Sequence, residues 1–310
     1  MRDCIRAAED GFLALAAGEA IVPERLVMTL PAGVFLEMPS AMQSEKQSAL
    51  GTKIVSVFEK NPQRGLATVQ AVYLLLDGET GCPLALMEGR FITAIRTAAV
   101  SALATRHLMA EGASRLGIIG AGIQGEFHLE AMAEVARFSE VLIASRTEGK
   151  ALRLAEKAER LFDARSDVAR AEDVVRHCNV ICVCTNSPVP VFAGRLINPG
   201  THINAVGAFT PQTREIDTEA VAGSRVIIDD HTAAGREAGD VRIPISEGAI
   251  TYDHIKGTLA DVVAGRVIGR ESADEITLFK SCGLAIEDLV TAKLAYERAI
   301  DRGVGLQVEL

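Results

Sequence analysis

The sequence contains no tryptophan and few other aromatics, three tyrosines and ten phenylalanines in 310 residues. Stacking platforms for nucleobases are therefore scarce. Basic residues are also in deficit, with 32 Lys and Arg against 41 Asp and Glu, for a formal charge of -9. An acidic chain without a basic run repels a phosphate backbone, which excludes nucleic acid as a partner. No stretch reaches the roughly 18 uninterrupted apolar residues of a membrane-spanning helix, so no membrane partner is expected. The opening residues, MRDCIRAAEDGFLALAAGEAIVP, scatter Arg2, Asp3, Arg6, Glu9, Asp10 and Glu19 along a helical period. A secretory signal needs a clean apolar stretch before a small-residue cleavage site. This segment reads instead as an amphipathic first helix of a cytoplasmic protein.

Cysteine is sparse as well, six in all, and this excludes a disulfide scaffold. Cys178, Cys182 and Cys184 crowd into HCNVICVCT, where a metal site with His177 is one reading. The spacing lacks the paired C-x2-C that closes a zinc tetrahedron, and the run alternates like a buried strand. Core cysteines are the expectation, and no metal is expected. What remains is ordinary globular composition, 48% hydrophobic and 24% charged. At about 150 residues per domain, the length suggests two domains.

The rhythm of the chain changes near Gly112. Before it, short apolar runs at 24–30, 33–39, 52–59, 67–77 and 83–89 are separated by turn signals, which predicts a mixed or antiparallel sheet. The Ala-rich stretch 93–111 has no Gly or Pro and predicts a helix ending at Gly112. Beyond it, apolar strands are expected at 115–120, 140–146, 179–185, 201–207 and 224–230. Helices are expected at 123–137 and 149–162. Strands of continuous apolar character separated by helices predict a parallel sheet covered on both faces. A last helix runs from Leu284 to Ile300 and closes at Gly303. If it packs back on the first domain, that domain is discontinuous, 1–112 with 284–310, around a second domain at 113–283.

Residues 120 to 125 read Gly-Ala-Gly-Ile-Gln-Gly at the end of one such strand and the start of a helix. That context gives the glycine pattern meaning. Gly120 permits the tight turn, Gly122 lets backbone approach a pyrophosphate, and Gly125 lets helix and strand pack closely. A purely structural turn is the alternative. About 20 residues further on, where an Asp or Glu would bind the adenosine ribose, the chain has Ser145-Arg146. A hydroxyl and a guanidinium suit a 2′-phosphate, so the chemistry favours NADP(H), with NAD(H) second. A solvated surface Arg146 is the competing reading.

Taken together, KIVSVFEKNPQRGLATVQAVYLLLDGETGCPLALMEGRFITAIRTAAVSALATRHL, IIGAGIQG, INAVGAFTPQTREID and SCGLAIEDL resemble the ornithine cyclodeaminase/mu-crystallin family over nearly the whole chain. The resemblance implies an α/β fold. It implies a Rossmann-type doubly wound parallel sheet joined to a discontinuous α+β domain that would bind substrate and form a homodimer. It also implies a nicotinamide cofactor and a small imino or amino acid as substrate. By motif, Arg25 and Arg96 fall where the family clamps the substrate carboxylate, Lys53 where it keeps an active-site lysine, and Cys282 beside the substrate. Thr68, Arg96, Ile123, Gln124, Thr185, Val206 and Ser281 fall at positions that touch the dinucleotide. Physical chemistry agrees, since a forked guanidinium pairs bidentately with a carboxylate. Arg96 inside an otherwise apolar Ala-rich helix has no ready structural reading, whereas Arg25 and Lys53 could be surface charges.

Two departures shape the expected activity. True ornithine cyclodeaminases carry an aspartate where VGAFTPQTRE has Phe209, and the family's acid in GVFLEMP aligns with Leu36. Glu37 is adjacent but should point to the opposite face of the strand. Without both carboxylates a second substrate amine has no partner, whereas a neutral ring is acceptable. The expected activity is therefore reduction of a cyclic ketimine such as Δ1-pyrroline-2-carboxylate or Δ1-piperideine-2-carboxylate. An ornithine cyclodeaminase, an alanine-dehydrogenase-like oxidoreductase and a non-catalytic NADPH-binding protein are the alternatives. Asp229, Asp230 and His231 read more readily as helix-capping or loop residues than as an acid-base pair.

Overall fold

The computed structural model describes residues 1–44 and 48–309. In chain order its elements are α1 (Arg2–Ala17), β1 (Ala20–Ile21), β2 (Leu26–Leu30), β3 (Gly33–Gln43), β4 (Ser48–Val57), β5 (Val69–Leu76), β6 (Pro83–Glu88) and α2 (Gly89–Leu108). There follow β7 (Arg115–Ile119), α3 (Ile123–Met132), β8 (Glu140–Ala144), α4 (Glu148–Phe162), β9 (Arg165–Val168), α5 (Ala171–His177), β10 (Val180–Val183) and β11 (His202–Ala205). The remainder comprises α6 (Thr218–Ala222), β12 (Arg225–Ile228), α7 (His231–Glu237), α8 (Gly239–Ser246), β13 (Ile255–Thr258), α9 (Leu259–Val263), β14 (Thr277–Lys280) and α10 (Ala285–Arg302). Among the described residues no helix is long and apolar enough to cross a membrane.

The chain divides into two compact units, Met1–Ile5 with Thr97–Gly283 and Arg6–Arg96 with Leu284–Leu310. The first long division falls inside α2, at 96/97, and not at 112/113 as the sequence rhythm suggested. The second half of α2 belongs with the parallel sheet because its polar side chains are satisfied there. Ser101 Oγ lies 2.9 Å from His128 Nε2, and Thr105 Oγ1 accepts from Asn204 Nδ2 at 2.9 Å. Gly112, at φ 75°, ends only the turn after the helix.

In the Arg6–Arg96 unit the strands run in the order β1-β3-β4-β5-β6, with β2 also paired to β3, and every pairing is antiparallel. Along β4 alternate residues Ala49, Gly51, Lys53 and Val55 are buried, the period-two signature of a sheet with one covered face. The cover is α10, which packs on β3, β4 and β5. Met38, Val55 and Ala285 form its contact core, and Tyr73 and Leu75 on β5 are fully buried. Each large apolar side chain removed from water there contributes roughly 1.5–3 kcal/mol.

The Thr97–Gly283 unit is built on eight parallel strands in the order β13-β12-β14-β11-β10-β7-β8-β9. β10 and β11 are buried at every position, as strands covered on both faces must be. After β7 the chain goes on to β8 and β9 on one side, then returns to β10 on the other. The reversal between β7 and β10 leaves a crevice at their carboxyl ends. β9, α5, β13 and β14 were absent from the sequence expectation. RSDV and TLFK are too short and too polar to show a period. α3 also stops at Met132 rather than 137, because the chain tightens there into three-residue turns. Glu134 N bonds Ala131 O, and Val135 N bonds Met132 O.

Candidate functional site

At the carboxyl edge of the parallel sheet, the glycine loop has the geometry that its sequence requires. Gly120 has φ 110°, and a Cβ there would lie 2.4 Å from the Cys184 carbonyl oxygen. A Cβ at Gly125 would lie 1.9 Å from the Gly120 oxygen, so helix and strand close on each other only with glycine there. Gly122 differs: it is the residue before α3, gives that helix no side-chain cap, and has open space where a Cβ would stand. The first-turn N–H groups of α3 are thus left to an external anion, the arrangement that receives a pyrophosphate. Ile123 is exposed, and Gln124 Oε1 is buried with no hydrogen-bond partner among the described residues.

Other candidates follow the ends of neighbouring strands. Ser145 and Arg146 follow β8; Ser145 Oγ accepts from Thr147 N at 3.2 Å, and the exposed Arg146 donates to Asn186 Oδ1 at 2.9 Å. Thr185 follows β10 and Val206 follows β11, with Val206 N bonded to Val183 O at 3.1 Å. Ser281 and Cys282 follow β14. Their loop is held by the buried Asp229, whose Oδ2 accepts the N–H of Cys282 at 2.5 Å and of Gly283 at 2.7 Å. Asp230 caps α7 through Ala233 N at 2.9 Å. Phe209, in the loop after β11, is 45% exposed. Cys178 and Cys182 are core residues whose burial pushes their thiols up to about 12.

In the antiparallel unit a second group of candidates converges. Lys53 points from β4 toward α10, where its Nζ donates to Asp288 Oδ2 at 2.7 Å. Arg96 donates through Nε to Asp288 Oδ1 at 3.2 Å and through Nη1 to Glu287 Oε2 at 2.7 Å. Lys53 is 2% exposed, Arg96 6% and Asp288 0%. Burial lowers the pKa of Lys53 to about 8; Asp288 opposes this, while Arg96 and the half-buried Arg25 add to it. The lysine is therefore mostly protonated at neutral pH yet titrates within reach of it. Arg96 keeps its charge, since burial is outweighed by the two carboxylates. Thr68 belongs to this unit too, and its carbonyl accepts from Phe58 N at 2.9 Å.

Glu287 and Asp288 were missed by sequence reasoning. Their signal was two adjacent acids inside the apolar run AIEDLV, in the first turn of α10, where the helix dipole favours negative charge. Also missed were Glu215, Asp240 and Lys280, three charged side chains buried in the parallel-sheet unit. The strand register also bears on the two departures. Met38 faces Lys53 across the ladder, so Leu36, two residues along, shares that face, whereas Glu37 pairs with Ile54 on the other.

A glycine loop at the reversal point of a doubly wound parallel sheet, with a separate antiparallel unit holding cations against buried acids, defines the class: a two-unit α/β protein of the dinucleotide-binding type. Within that class the chain belongs to the ornithine cyclodeaminase/mu-crystallin family, whose model matches residues 1–303. It is similar to the Δ1-pyrroline-2-carboxylate reductase of Bacillus cereus, 40% identical over 276 residues, 88% of this chain and 84% of that protein. The Thermococcus litoralis Δ1-pyrroline-2-carboxylate reductase, solved in complex with NADH and L-proline, superposes with a TM-score of 0.95. It is 41% identical over 99% of this chain and 96% of that one. An archaeal alanine dehydrogenase dimer with bound NAD has a TM-score of 0.95 at 34% identity, over 100% of this chain and 95% of that one.

Proposed function

We propose that this chain is an NAD(P)H-dependent reductase of a cyclic ketimine carboxylate, Δ1-pyrroline-2-carboxylate or Δ1-piperideine-2-carboxylate. The features that carry the reading are a cation group in the antiparallel unit, Lys53 with Arg96 and Arg25, and, in the sequence, Leu36 and Phe209 at the two positions where a diamine would need acids. Arg96 commits Nε and one Nη1 hydrogen to Asp288 and Glu287, which leaves Nη2 for a substrate carboxylate. Arg25 supplies the second guanidinium. Lys53 is the catalytic residue: held on Asp288 and protonated at neutral pH, it places a proton at the ring nitrogen. When bound, a reduced nicotinamide would supply the hydride that, with this proton, turns the C=N bond into a C–N single bond. The Gly120–Gly125 loop would hold the dinucleotide, together with Ile123, Gln124, Thr185, Val206 and Ser281.

Similarity to two Δ1-pyrroline-2-carboxylate reductases supports the substrate class. An ornithine cyclodeaminase must hold a second amine, charged at neutral pH. With Phe209 and Leu36 in place of acids that ammonium would be desolvated and unpaired, at a cost of several kcal/mol. Similarity to an archaeal alanine dehydrogenase favours a second reading, reductive amination of pyruvate, whose carboxylate the same cations would take. Ser145-Arg146 supports NADPH over NADH.

The antiparallel sheet exposes Leu26, Val27, Met28 and Leu30 on β2 and Leu86 on β6, an apolar set that a second copy would cover in a homodimer. The six cysteines are thiols, which suits the reducing cytoplasm. The test is a panel: purified protein with NADPH or NADH and each cyclic ketimine, with pyruvate and ammonia, and with ornithine and NAD. The expected result is cofactor oxidation with the ketimines, little ammonia from ornithine, and impaired reduction in Phe209→Asp. Rapid ammonia release from ornithine without net change in cofactor absorbance would overturn the reading.

A further inference from the structure

Besides Asp229, the parallel-sheet unit buries Glu215, Asp240 and Lys280, charged side chains that the proposed chemistry does not use. A buried charge is costly unless paired and hydrogen-bonded, and here the bonds run to the ends of three strands. Glu215 Oε1 accepts the N–H of Thr185 at 2.6 Å and its hydroxyl at 2.7 Å. Glu215 Oε2 accepts the N–H of Gly207 at 2.5 Å and of Ala208 at 3.1 Å. One carboxylate thus ties the segment after β10 to the segment after β11. Lys280, the last residue of β14, donates to the Ala208 carbonyl at 2.5 Å and pairs with Asp240 at 2.8 Å. Asp240 Oδ1 accepts the N–H groups of Glu215 and Ile216 at 2.7 and 3.1 Å, which fixes the segment that carries Glu215. Gly207 leaves no room for slack. A Cβ there would stand 1.9 Å from the Thr185 carbonyl oxygen and 2.5 Å from Glu215 Oε1.

These segments lie at the carboxyl edge of the sheet, beside the reversal between β7 and β10, where open α/β sheets bind their ligands. The Thr185 hydroxyl is already engaged, since it donates to Glu215 and accepts from Ser187 N at 3.1 Å. Its value to a ligand lies in where it holds the backbone. We propose that Glu215 is a positioning residue for the dinucleotide, setting the ends of β10 and β11 at the spacing that the bound cofactor requires. The proposal rests on the dinucleotide-dependent reading above. Glu215 acts through the Thr185 and Gly207–Ala208 backbone, and the Lys280–Asp240 pair keeps its own segment in place.

Glu215→Gln tests it. The amide has the same size and leaves the Lys280–Asp240 pair intact, but turns an NH2 group toward backbone N–H donors that need an acceptor. Dissociation constants for NADPH and NADH are read by fluorescence titration, and KM for the imine is read at saturating cofactor. The expected result is a rise in both dissociation constants of about tenfold or more, with the imine KM moving less than about threefold. A rise below about fivefold in a folded variant overturns the proposal. If the glutamine variant does not fold, Glu215→Asp, which keeps the charge and loses the reach, is read against the same threshold. Failure of both to fold assigns Glu215 to the folding core and also overturns it. An unmodified protein that binds neither dinucleotide would instead sink the functional reading, before any variant is measured.

Discussion

Replacing Asp288 by asparagine should expose how Lys53 is tuned. The buried group holds two cations, Lys53 and Arg96, against two carboxylates, Glu287 and Asp288. Asparagine leaves one positive charge uncompensated. At about 3 Å and an effective dielectric constant near 20, a charge pair is worth roughly 5–6 kcal/mol before the surroundings relax. Even a quarter of that, about 1.4 kcal/mol, changes the protonation equilibrium of Lys53 tenfold. Burial has already lowered Lys53 to about 8. Losing its main counter-charge lowers it further. Because reduction needs the protonated lysine, kcat/KM for the ketimine should fall above about pH 8 in the unmodified protein. In Asp288→Asn that alkaline limb should move down by about one pH unit or more. Removing one partner of a buried ion pair should also destabilise the fold by about 3–5 kcal/mol. The assay is kcat/KM from about pH 6 to about pH 9.5 at saturating cofactor, with urea unfolding alongside. A folded variant with its alkaline limb unmoved would refute Lys53 as the titrating acid.

Arg96→Lys keeps the charge and loses the fork, so kcat/KM for the ketimine should drop by about 1.5–3 kcal/mol of transition-state binding, and a change within twofold would remove Arg96 from the carboxylate clamp. Arg146→Ala should weaken NADPH while sparing NADH; equal losses for both would show that Arg146 does not read the 2′-phosphate. His128 is buried between Gln124 O and Ser101 Oγ, and burial depresses it to about 4 from an ordinary 6.5. A depressed folded pKa gives stability that is whole above pH 6.5 and is lost as pH falls toward 4, by about 3 kcal/mol at most. Urea midpoints should therefore decline over that window and flatten in His128→Gln, and an unchanged slope in the variant would refute the assignment.

The glycine loop was legible in the sequence because everything it needs is local. A short apolar strand, three glycines and a helix start lie within a dozen residues, and Gly120 and Gly125 each answer to a backbone constraint. The parallel sheet was legible for a similar reason, since strands covered on both faces are apolar along their buried length, as VICV of β10 and VII of β12 are. Arg96 stands out in the sequence as a cation in an Ala-rich helix, where it reads as a clamp for a substrate carboxylate. The acids of its own chain that hold it, Glu287 and Asp288, were not legible. Asp288 lies 235 positions from Lys53, and only the packing of α10 on β4 brings the pair to 2.7 Å. Glu215, Asp240 and Lys280 were equally silent, because their partners are backbone amides and carbonyls on other strands, and sequence periodicity records which face a residue takes but not what it meets there. The place where the chain passes between its units, inside α2, was likewise decided in three dimensions. A uniform Ala-rich helix carries no local mark of where its partners change.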